Sequence, residues 1–145
     1  MIFDDATYAA FSRAREVALE LGQGRIAPLH VAVAVLEMPD PLTADVLGAL
    51  RADAGALAAA LRGAAPAGRY EVGVHGGPDL AYSEAGVRVL HGCRDEAAAL
   101  GHRVVHPLHL LLAVLADPTA RAGRELTRAG VGRDALRGAF AAEVP

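Results

Sequence analysis

The sequence predicts an all-α protein built from two tandem copies of one four-helix unit. Three observations support this prediction: an internal repeat, apolar residues at helical spacing, and a shortage of aromatic residues. Hydrophobic residues make up 53% of the 145 positions, but aromatic residues only 4%, and Trp is absent. A core of Ala, Leu and Val favours closely packed helices over a β-sandwich.

The internal repeat appears when the chain is shifted by 79 positions. Identical residues then coincide in pairs: Gly22 with Gly101, Pro28 with Pro107, His30 with His109, and Leu36 with Leu115. The register holds without a gap in both directions. We therefore predict a first repeat over 1–62, a linker loop over the glycine- and proline-rich stretch 63–80, and a second repeat over 81–142, together forming one compact domain.

The first helix of each unit is predicted from a stripe of mostly apolar residues at spacings of three and four. The stripe consists of Thr7, Phe11, Ala14, Ala18 and Leu21 in the first repeat, and of Gly86, Leu90, Cys93, Ala97 and Leu100 in the second. Asp4 and Ser83 stand where an N-cap oxygen is expected. Gly22 and Gly101 stand where a left-handed C-cap is expected.

The second helix of each unit begins at Pro28 or Pro107, since proline suits the first helical position. Taken alone, residues 29–36 also fit a strand, but the Leu-rich counterpart at 108–115 shows no alternation. Because one fold must suit both copies, we predict a helix, buried on all sides at the centre of its unit. A third helix is predicted around 42–50 and 120–128, and a fourth around 54–61 and 133–140.

Composition excludes several classes of protein. The chain has no Lys, which excludes a Walker A nucleotide site and Schiff-base chemistry. The net charge is −3 with no basic stripe, so we expect no nucleic-acid partner. The longest apolar runs are far below the ~20 residues that span a bilayer, and no signal peptide is evident. We therefore predict a cytoplasmic protein without a membrane partner.

Individual reactive residues are better explained by structure than by chemistry. His30 and His109 match in the repeat and are expected to bond nearby backbone. His102 and His106 fall in a loop with no carboxylate at ligand spacing, so we predict no metal site. Cys93 is expected in the core. The pair at 95–96 is interpreted as a solvated acidic helix face.

Several short motifs resemble the N-terminal domain of the Clp family of AAA+ unfoldases. The family pattern is roughly F-T-x-x-A, then L-G-H, then T-E-H-L-L-L-x-L-L, in two copies. Residues 3–6, 21–22 and 28–36 match it in the first repeat, and residues 82–85, 100–102 and 109–115 match it more closely in the second. The resemblance implies a pseudo-twofold, eight-helix domain that docks substrates and adaptor proteins onto an unfoldase ring.

The chain departs from this pattern at its expected binding positions. In family members that capture phosphorylated arginine, the Glu before the repeated His holds the guanidinium and the Thr after the Phe helps hold the phosphate. Here Leu29 and Leu108 replace the Glu, and Asp4 and Ser83 replace the Thr. Asp4 repels phosphate and leucine cannot pair with guanidinium, so we expect one pocket lost and one weakened.

What remains at the two leucines is apolar and suits an aliphatic or aromatic side chain of a ligand. Two tyrosines near the linker, Tyr70 and Tyr82, are further candidates to line a peptide groove. Tyr82 alternatively plugs its own unit as Phe3 does. Our candidate peptide-binding residues are therefore Asp4, Leu29, Tyr70, Tyr82, Ser83 and Leu108.

The functional hypothesis is a non-catalytic module that binds a protein or peptide, such as an unfoldase, an adaptor or a substrate, without a cofactor. The 145 residues contain no ATPase module, so the domain is either excised or free-standing, and we favour free-standing. One alternative is a decoy that competes with an unfoldase for ligands or adaptors. Another is a small metal-assisted hydrolase, which the lack of an acid–base–nucleophile constellation disfavours.

Overall fold

The computed structural model describes residues 1–68 and 80–144. In this part of the chain the structure is all-α with two four-helix repeats, as the sequence predicts. The first repeat contains α1 (Asp5–Glu20), α2 (Pro28–Glu37), α3 (Pro41–Ala49) and α4 (Ala54–Ala64). The second contains α5 (Glu84–Ala99), α6 (Pro107–Leu115), α7 (Arg121–Arg128) and α8 (Arg133–Glu143).

The predicted caps lie at the ends of the first helix of each repeat. The Asp4 carboxylate accepts a hydrogen bond from the Thr7 amide at 2.8 Å, and the Ser83 hydroxyl accepts one from the Gly86 amide at 3.0 Å. Gly22, with φ 68°, ends the turn after α1 in the left-handed region that glycine tolerates. The helix boundaries are thus set by the residue types expected there.

Four two-residue strands, which the sequence analysis did not predict, connect the repeats. They are β1 (Ile2–Phe3), β2 (Arg25–Ile26), β3 (Ala81–Tyr82) and β4 (Val104–Val105). β1 pairs in parallel with β4, and β2 pairs in parallel with β3. Shifting by 79 positions converts one pairing into the other, which is the behaviour of two copies related by a twofold axis.

The helix contacts show the same exchange between repeats. α2 packs on α6, while α3 packs on α8 and α4 packs on α7. Each repeat therefore closes the other, and a single buried core draws residues from both.

The second helices, α2 and α6, lie at the centre of the core. Every residue from Leu29 to Leu36 and every residue of α6 is buried. A helix buried on all sides needs no polar face, which is why the sequence at 29–36 also fitted a strand. Cys93 is fully buried among core residues, as predicted, and burial raises the pKa of its thiol.

The end of the first repeat differs slightly from the predicted boundary. α4 continues to Ala64, so the first two residues of the predicted linker, 63 and 64, are helical. Residues 69–79, which include the candidate Tyr70, lie outside the described residues. Among the helices that the structure describes, none is long and apolar enough to cross a membrane.

Candidate functional site

The two N-cap residues lie against the opposite repeat. The Asp4 amide donates to the Val105 carbonyl at 3.1 Å, and the Ser83 amide donates to the Ile26 carbonyl at 3.0 Å. Asp4 is thereby placed beside the start of α6, which carries Leu108, and Ser83 beside the start of α2. The repeat pattern groups Asp4 with Leu29 and Ser83 with Leu108. In the structure Asp4 instead lies near the helix of Leu108, and Ser83 near the helix of Leu29.

Both N-cap side chains are engaged in holding their helices. The Asp4 carboxylate lies 2.7 Å from the Thr7 hydroxyl in addition to bonding its amide. The Ser83 hydroxyl, besides capping α5, lies 3.4 Å from the Ile26 carbonyl. A ligand would have to compete with these contacts for the same oxygens.

The candidate leucines are not at the surface. Leu29 is 7% exposed and Leu108 is 0% exposed, because the first turns of α2 and α6 face the core. The prediction that these two positions offer apolar contacts to a ligand is therefore wrong in this structure. Leucine at these two positions extends the core and does not create an exposed apolar site.

Tyr82 lies half-buried between the repeats. Its ring meets that of Phe11 edge-on, with centroids 6.3 Å apart, and burial raises the pKa of its hydroxyl. Phe11 also packs against Phe3, with ring centroids 5.6 Å apart. This arrangement favours the alternative in which Tyr82 plugs its unit as Phe3 does.

The matching histidines have the structural role that the sequence favours. His30 Nδ1 accepts a hydrogen bond from the Ala27 amide at 2.9 Å, and His109 Nδ1 accepts one from the His106 amide at 2.8 Å. Each imidazole thus satisfies a free amide at a helix start, as the Glu of a capping box does. Burial lowers the pKa of His30 to about 4, and burial with two neighbouring histidines lowers that of His109 to about 3.

Three histidines of the second repeat form a cluster with a carboxylate. Because His109 Nδ1 accepts an amide proton, its Nε2 carries a proton and donates to His102 Nδ1 at 2.9 Å. His106 Nδ1 accepts from the Leu108 amide, so its Nε2 donates to Asp40 Oδ2 at 2.6 Å. We call this group, with the cavity of about 300 Å³ beside it, the histidine cleft.

No carboxylate stands at ligand spacing beside these histidines in the sequence, but the fold brings one to them. Asp40 is distant in sequence but is brought to His106 by the packing of α3 on the second repeat. Within 1–68 and 80–144, no group of three or more His, Cys, Asp or Glu residues is arranged to hold a metal ion. Nδ1 of His102, Nδ1 of His106 and both ring nitrogens of His109 are already bonded to one another or to backbone amides.

The first repeat has a narrow cavity between α1 and α2, which we call the α1–α2 groove. Its volume is about 140 Å³, and the residues lining it include Ala6, Ala10, Arg13, Ala34, Val35 and Met38. The guanidinium of Arg13 lies across its end and bonds to Glu20 at 2.7 Å and to Glu37 at 3.1 Å. Beyond Arg13 is an open surface depression of about 690 Å³ whose charged residues are paired with one another.

The second repeat has a larger cavity at the equivalent place, which we call the α5–α6 groove. Its volume is about 520 Å³, and its apolar lining includes Ala85, Val89, Gly92, Ala113, Val114 and Ala116. Its charged lining consists of Arg88, Asp95, Glu96, Asp117 and Arg133. Shifting by 79 positions places Gly92 on Arg13 and Asp117 on Met38. Loss of these two long side chains leaves the groove open.

A buried carboxylate, Glu96, forms part of the floor of the α5–α6 groove. It is 5% exposed and pairs with Arg133 and with Arg137, the latter at 2.9 Å. Its interpretation as part of a solvated acidic face is therefore wrong. Two features of the sequence indicated that Glu96 is buried. It corresponds to the apolar Val17 in the repeat register, and Arg133 and Arg137 stand one helical turn apart, where both can pair with it.

The comparisons with known proteins agree with this fold. A family model described as "Clp repeat (R) N-terminal domain" matches residues 2–129 and 81–145. The chain belongs to this Clp N-domain family. Domains of the family are substrate- and adaptor-binding modules of Clp unfoldases. No curated protein matches the chain.

Solved Clp N-domains share its fold at low sequence identity. The Hsp104 N-terminal domain from Candida albicans matches with a TM-score of 0.74 and 18% identity, covering 97% of this chain and 89% of that one. The N-terminal domain of the chaperone ClpD from Arabidopsis thaliana matches with a TM-score of 0.71 and 18% identity, covering 99% and 97%. A chain of a malarial protein secretion system matches with a TM-score of 0.77 and 12% identity, covering 99% and 95%.

Within this Clp N-domain, the two repeats differ most in their grooves. The α1–α2 groove is filled by Arg13 and Met38 of the chain itself, whereas the α5–α6 groove is open. The histidine cleft is the second open site of the second repeat, and Asp4 lines it. The sequence candidates Leu29 and Leu108 line neither of these two open sites.

Proposed function

We propose that this Clp N-domain is a non-catalytic module that binds a segment of another protein in the α5–α6 groove. The observation that carries the proposal is the difference between equivalent grooves in the two repeats. One is filled by the chain's own side chains, and the other is open over about 520 Å³. A fold that needed this space filled would fill it in both repeats.

The size and chemistry of the α5–α6 groove support a peptide ligand. Sites for small ligands and side chains are commonly 300–1,000 Å³, mostly apolar, with a few fixed polar groups. Here alanines, Val89 and Val114 form the walls, while Asp95 and Asp117 stand among the charged residues of the lining. The partner we propose is accordingly a protein segment, from an unfoldase, an adaptor or a substrate.

The phosphoarginine pockets implied by the family resemblance are altered in this proposal. The carboxylate of Asp4 carries the wrong charge for phosphate and is engaged with Thr7. Leu29 and Leu108 are buried and offer no acceptor to a guanidinium. The candidates Asp4, Ser83 and Tyr82 are kept as residues near a second contact surface, at the strands that join the repeats.

The chemistry of the reactive side chains supports a binding role over catalysis. Cys93 is fully buried with a raised pKa, so its reactive thiolate is disfavoured. His30 and His109 are buried and use Nδ1 to hold backbone amides. We extend the proposal to a protein that acts in the cytoplasm without a cofactor.

The test begins with selection of peptides that bind the full chain from a random library. Dissociation constants of the selected peptides are then measured by fluorescence anisotropy with two variants. Ala116→Trp places a large ring on an exposed position of the groove, and Ala98→Trp places it on an exposed position of α5 that does not line the groove. We expect Ala116→Trp to weaken binding at least about tenfold and Ala98→Trp to leave it within about twofold.

Equal affinities for the two variants would contradict the proposed site. Failure to select any peptide that binds the folded chain would contradict the proposed function. A chain that binds phosphoarginine as tightly as it binds the selected peptides would contradict the altered-pocket part of the proposal alone.

A further inference from the structure

We infer that the α5–α6 groove takes an arginine side chain of the bound segment, in the space that Arg13 occupies in the first repeat. This inference rests on the proposed function, because it names the residue that the bound segment supplies. Three features of the groove support it: its equivalence to the α1–α2 groove, the room above Gly92 and the charges of its lining.

Arg13 shows how this arrangement of helices holds an arginine. Its side chain lines the α1–α2 groove together with Ala10 and Ala34, so its aliphatic part lies among apolar walls. Its guanidinium then reaches the carboxylates of Glu20 and Glu37. The first repeat therefore contains, within one chain, a complete example of an arginine bound in this groove.

The second repeat has kept the apolar walls but has lost the arginine and its two carboxylate partners, since Ala99 and Ala116 stand at the counterparts of Glu20 and Glu37. Ala34 and Val35 correspond to Ala113 and Val114, while Arg13 corresponds to Gly92. A Cβ atom placed on Gly92 would meet only the Ala113 Cβ, at 3.6 Å, which is an ordinary contact. The groove above Gly92 therefore has room for a side chain, and the absence of one is not forced by crowding.

The charges of the α5–α6 groove suit a cation. Three carboxylates and two guanidiniums line it, and one guanidinium, that of Arg133, is bonded to Glu96. Asp95 is the counterpart of Glu16, which bonds Arg13 in the first repeat. Within the described residues Asp95 makes no ion pair or hydrogen bond. Asp117 adds a second exposed carboxylate where the first repeat has Met38.

An arginine matches this combination better than other side chains do. Its methylene stem can lie along the alanine walls while its guanidinium stays at the acidic rim. An aliphatic side chain would leave Asp95 without a partner, and an anionic side chain would face both Asp95 and Asp117, whose carboxylate accepts hydrogen bonds from Thr119. The planar guanidinium can also bond a carboxylate through two parallel hydrogen bonds.

The experiment uses four small probes and the ¹⁵N-labelled full chain. The probes are the N-acetyl N′-methylamides of arginine, citrulline, norleucine and N-phosphorylated arginine. We expect the arginine probe to shift the amide signals of Val89, Gly92 and Ala113. Citrulline has nearly the same shape without the charge and is expected to bind at least about tenfold more weakly, because a charge-assisted hydrogen bond is lost.

Two variants carry the same new side chain at different positions of α5. Gly92→Arg supplies the arginine within the chain, as in the first repeat, and should abolish binding of the arginine probe. Ala98→Arg places an arginine on an exposed position of α5 that does not line the groove, so the probe should bind it as it binds the unaltered chain. A Cβ atom fits above Gly92 and Ala98 is exposed, so both chains are expected to fold.

Three results would overturn the inference. These are equal binding of the arginine and citrulline probes, tighter binding of the norleucine or phosphorylated probe, and equal binding to the Gly92→Arg and Ala98→Arg chains. Absence of any shift with the arginine probe would also overturn it. If selected peptides still bind the α5–α6 groove without an arginine, the inference fails while the proposed function stands.

Discussion

The α1–α2 groove and the α5–α6 groove stand at equivalent positions in two copies of one helix arrangement. Their walls correspond residue by residue, yet Arg13 and Met38 fill the first, while Gly92 and Asp117 leave the second open. Wall positions that the repeats share maintain the helix packing, whereas the two positions that differ here leave space for a ligand in one groove only. His30 and His109 are shared and hold helix starts.

The charges around the two grooves differ in the same way. In the first repeat, Arg13 and Arg62 join Glu20 and Glu37 in a partly exposed network that crosses α1, α2 and α4. In the second repeat, one buried carboxylate, Glu96, ties α5 to α8 below the groove. The first network occupies the groove surface, while the second leaves that surface available.

The first prediction concerns the effect of these two sets of charges on stability. Glu96→Gln removes a buried carboxylate that two arginines share, and we expect a loss of about 2 kcal/mol in the free energy of unfolding. This value is below that for a fully buried pair because Arg133 and Arg137 are partly exposed. Glu37→Gln, in the more exposed network, is expected to cost about 1 kcal/mol. Urea denaturation measures both, and a Glu37→Gln cost equal to or above that of Glu96→Gln would break the contrast.

The shared histidines predict a dependence of stability on pH. The pKa values of His30 and His109 in the folded chain, about 4 and about 3, lie below the ordinary value of 6.5. Between these values the unfolded chain binds protons that the folded chain does not, so stability is complete above pH 6.5 and falls as the pH decreases. The loss is about 1.4 kcal/mol per pH unit for each histidine.

The measurement is the urea midpoint at pH 7 and pH 5, with NMR titration of the imidazole signals. Neither His30 nor His109 should titrate above about pH 5. A titration near pH 6.5 for either ring would show that its Nδ1 is not engaged with the backbone as described. The same titration compares the two repeats. His109 should have a lower pKa than His30, because neighbouring histidines lower the pKa of His109 further.

Opening the first groove provides the converse test. Arg13→Gly should cost about 1 kcal/mol from helix propensity, with a smaller loss from its exposed ion pairs. It should also create a second site for the arginine probe, because Glu20 and Glu37 lose a partner. NMR shifts of the Ala10 and Ala34 amides check this expectation. An Arg13→Gly chain with no new site would mean that an open groove is not sufficient for binding.

The smallest effects are expected from two glycines of α5. Gly92→Ala should raise the free energy of unfolding by about 0.5–1 kcal/mol, because the new methyl group fits and alanine favours the helix. Gly86→Ala should destabilise the fold, since its Cβ would lie 2.4 Å from the Ile26 carbonyl oxygen. Thermal unfolding measures both, and a destabilised Gly92→Ala chain would show that the groove is more crowded than described.

Most of the fold could be predicted from the sequence because repeated local signals specify it. Proline at 28 and 107, capping at Asp4 and Ser83, and glycine after α1 and α5 recur in one register. Residues 29–36 alone also fitted a strand, but their counterparts at 108–115 fitted only a helix, so the second copy decided the prediction. The four short strands could not be predicted, because two residues carry no detectable period and their pairing depends on tertiary contacts.

The candidate site was harder to predict because it depends on differences between the repeats and on contacts between distant segments. Leu29 and Leu108 stand at the positions that the family resemblance indicates, but in this structure they are buried. The hydrogen bond between His106 and Asp40 joins residues that sequence spacing cannot associate. The replacement of Arg13 by Gly92 was visible in the repeat register, yet its meaning required the shape of the groove.

An NMR map of where a selected peptide binds the ¹⁵N-labelled full chain tests the proposed difference between the grooves. We expect shifts concentrated on Val89, Gly92 and Ala113 of the α5–α6 groove, with the equivalent residues Ala10, Arg13 and Ala34 unchanged. Shifts concentrated on the histidine cleft, or of equal size in both grooves, would contradict it.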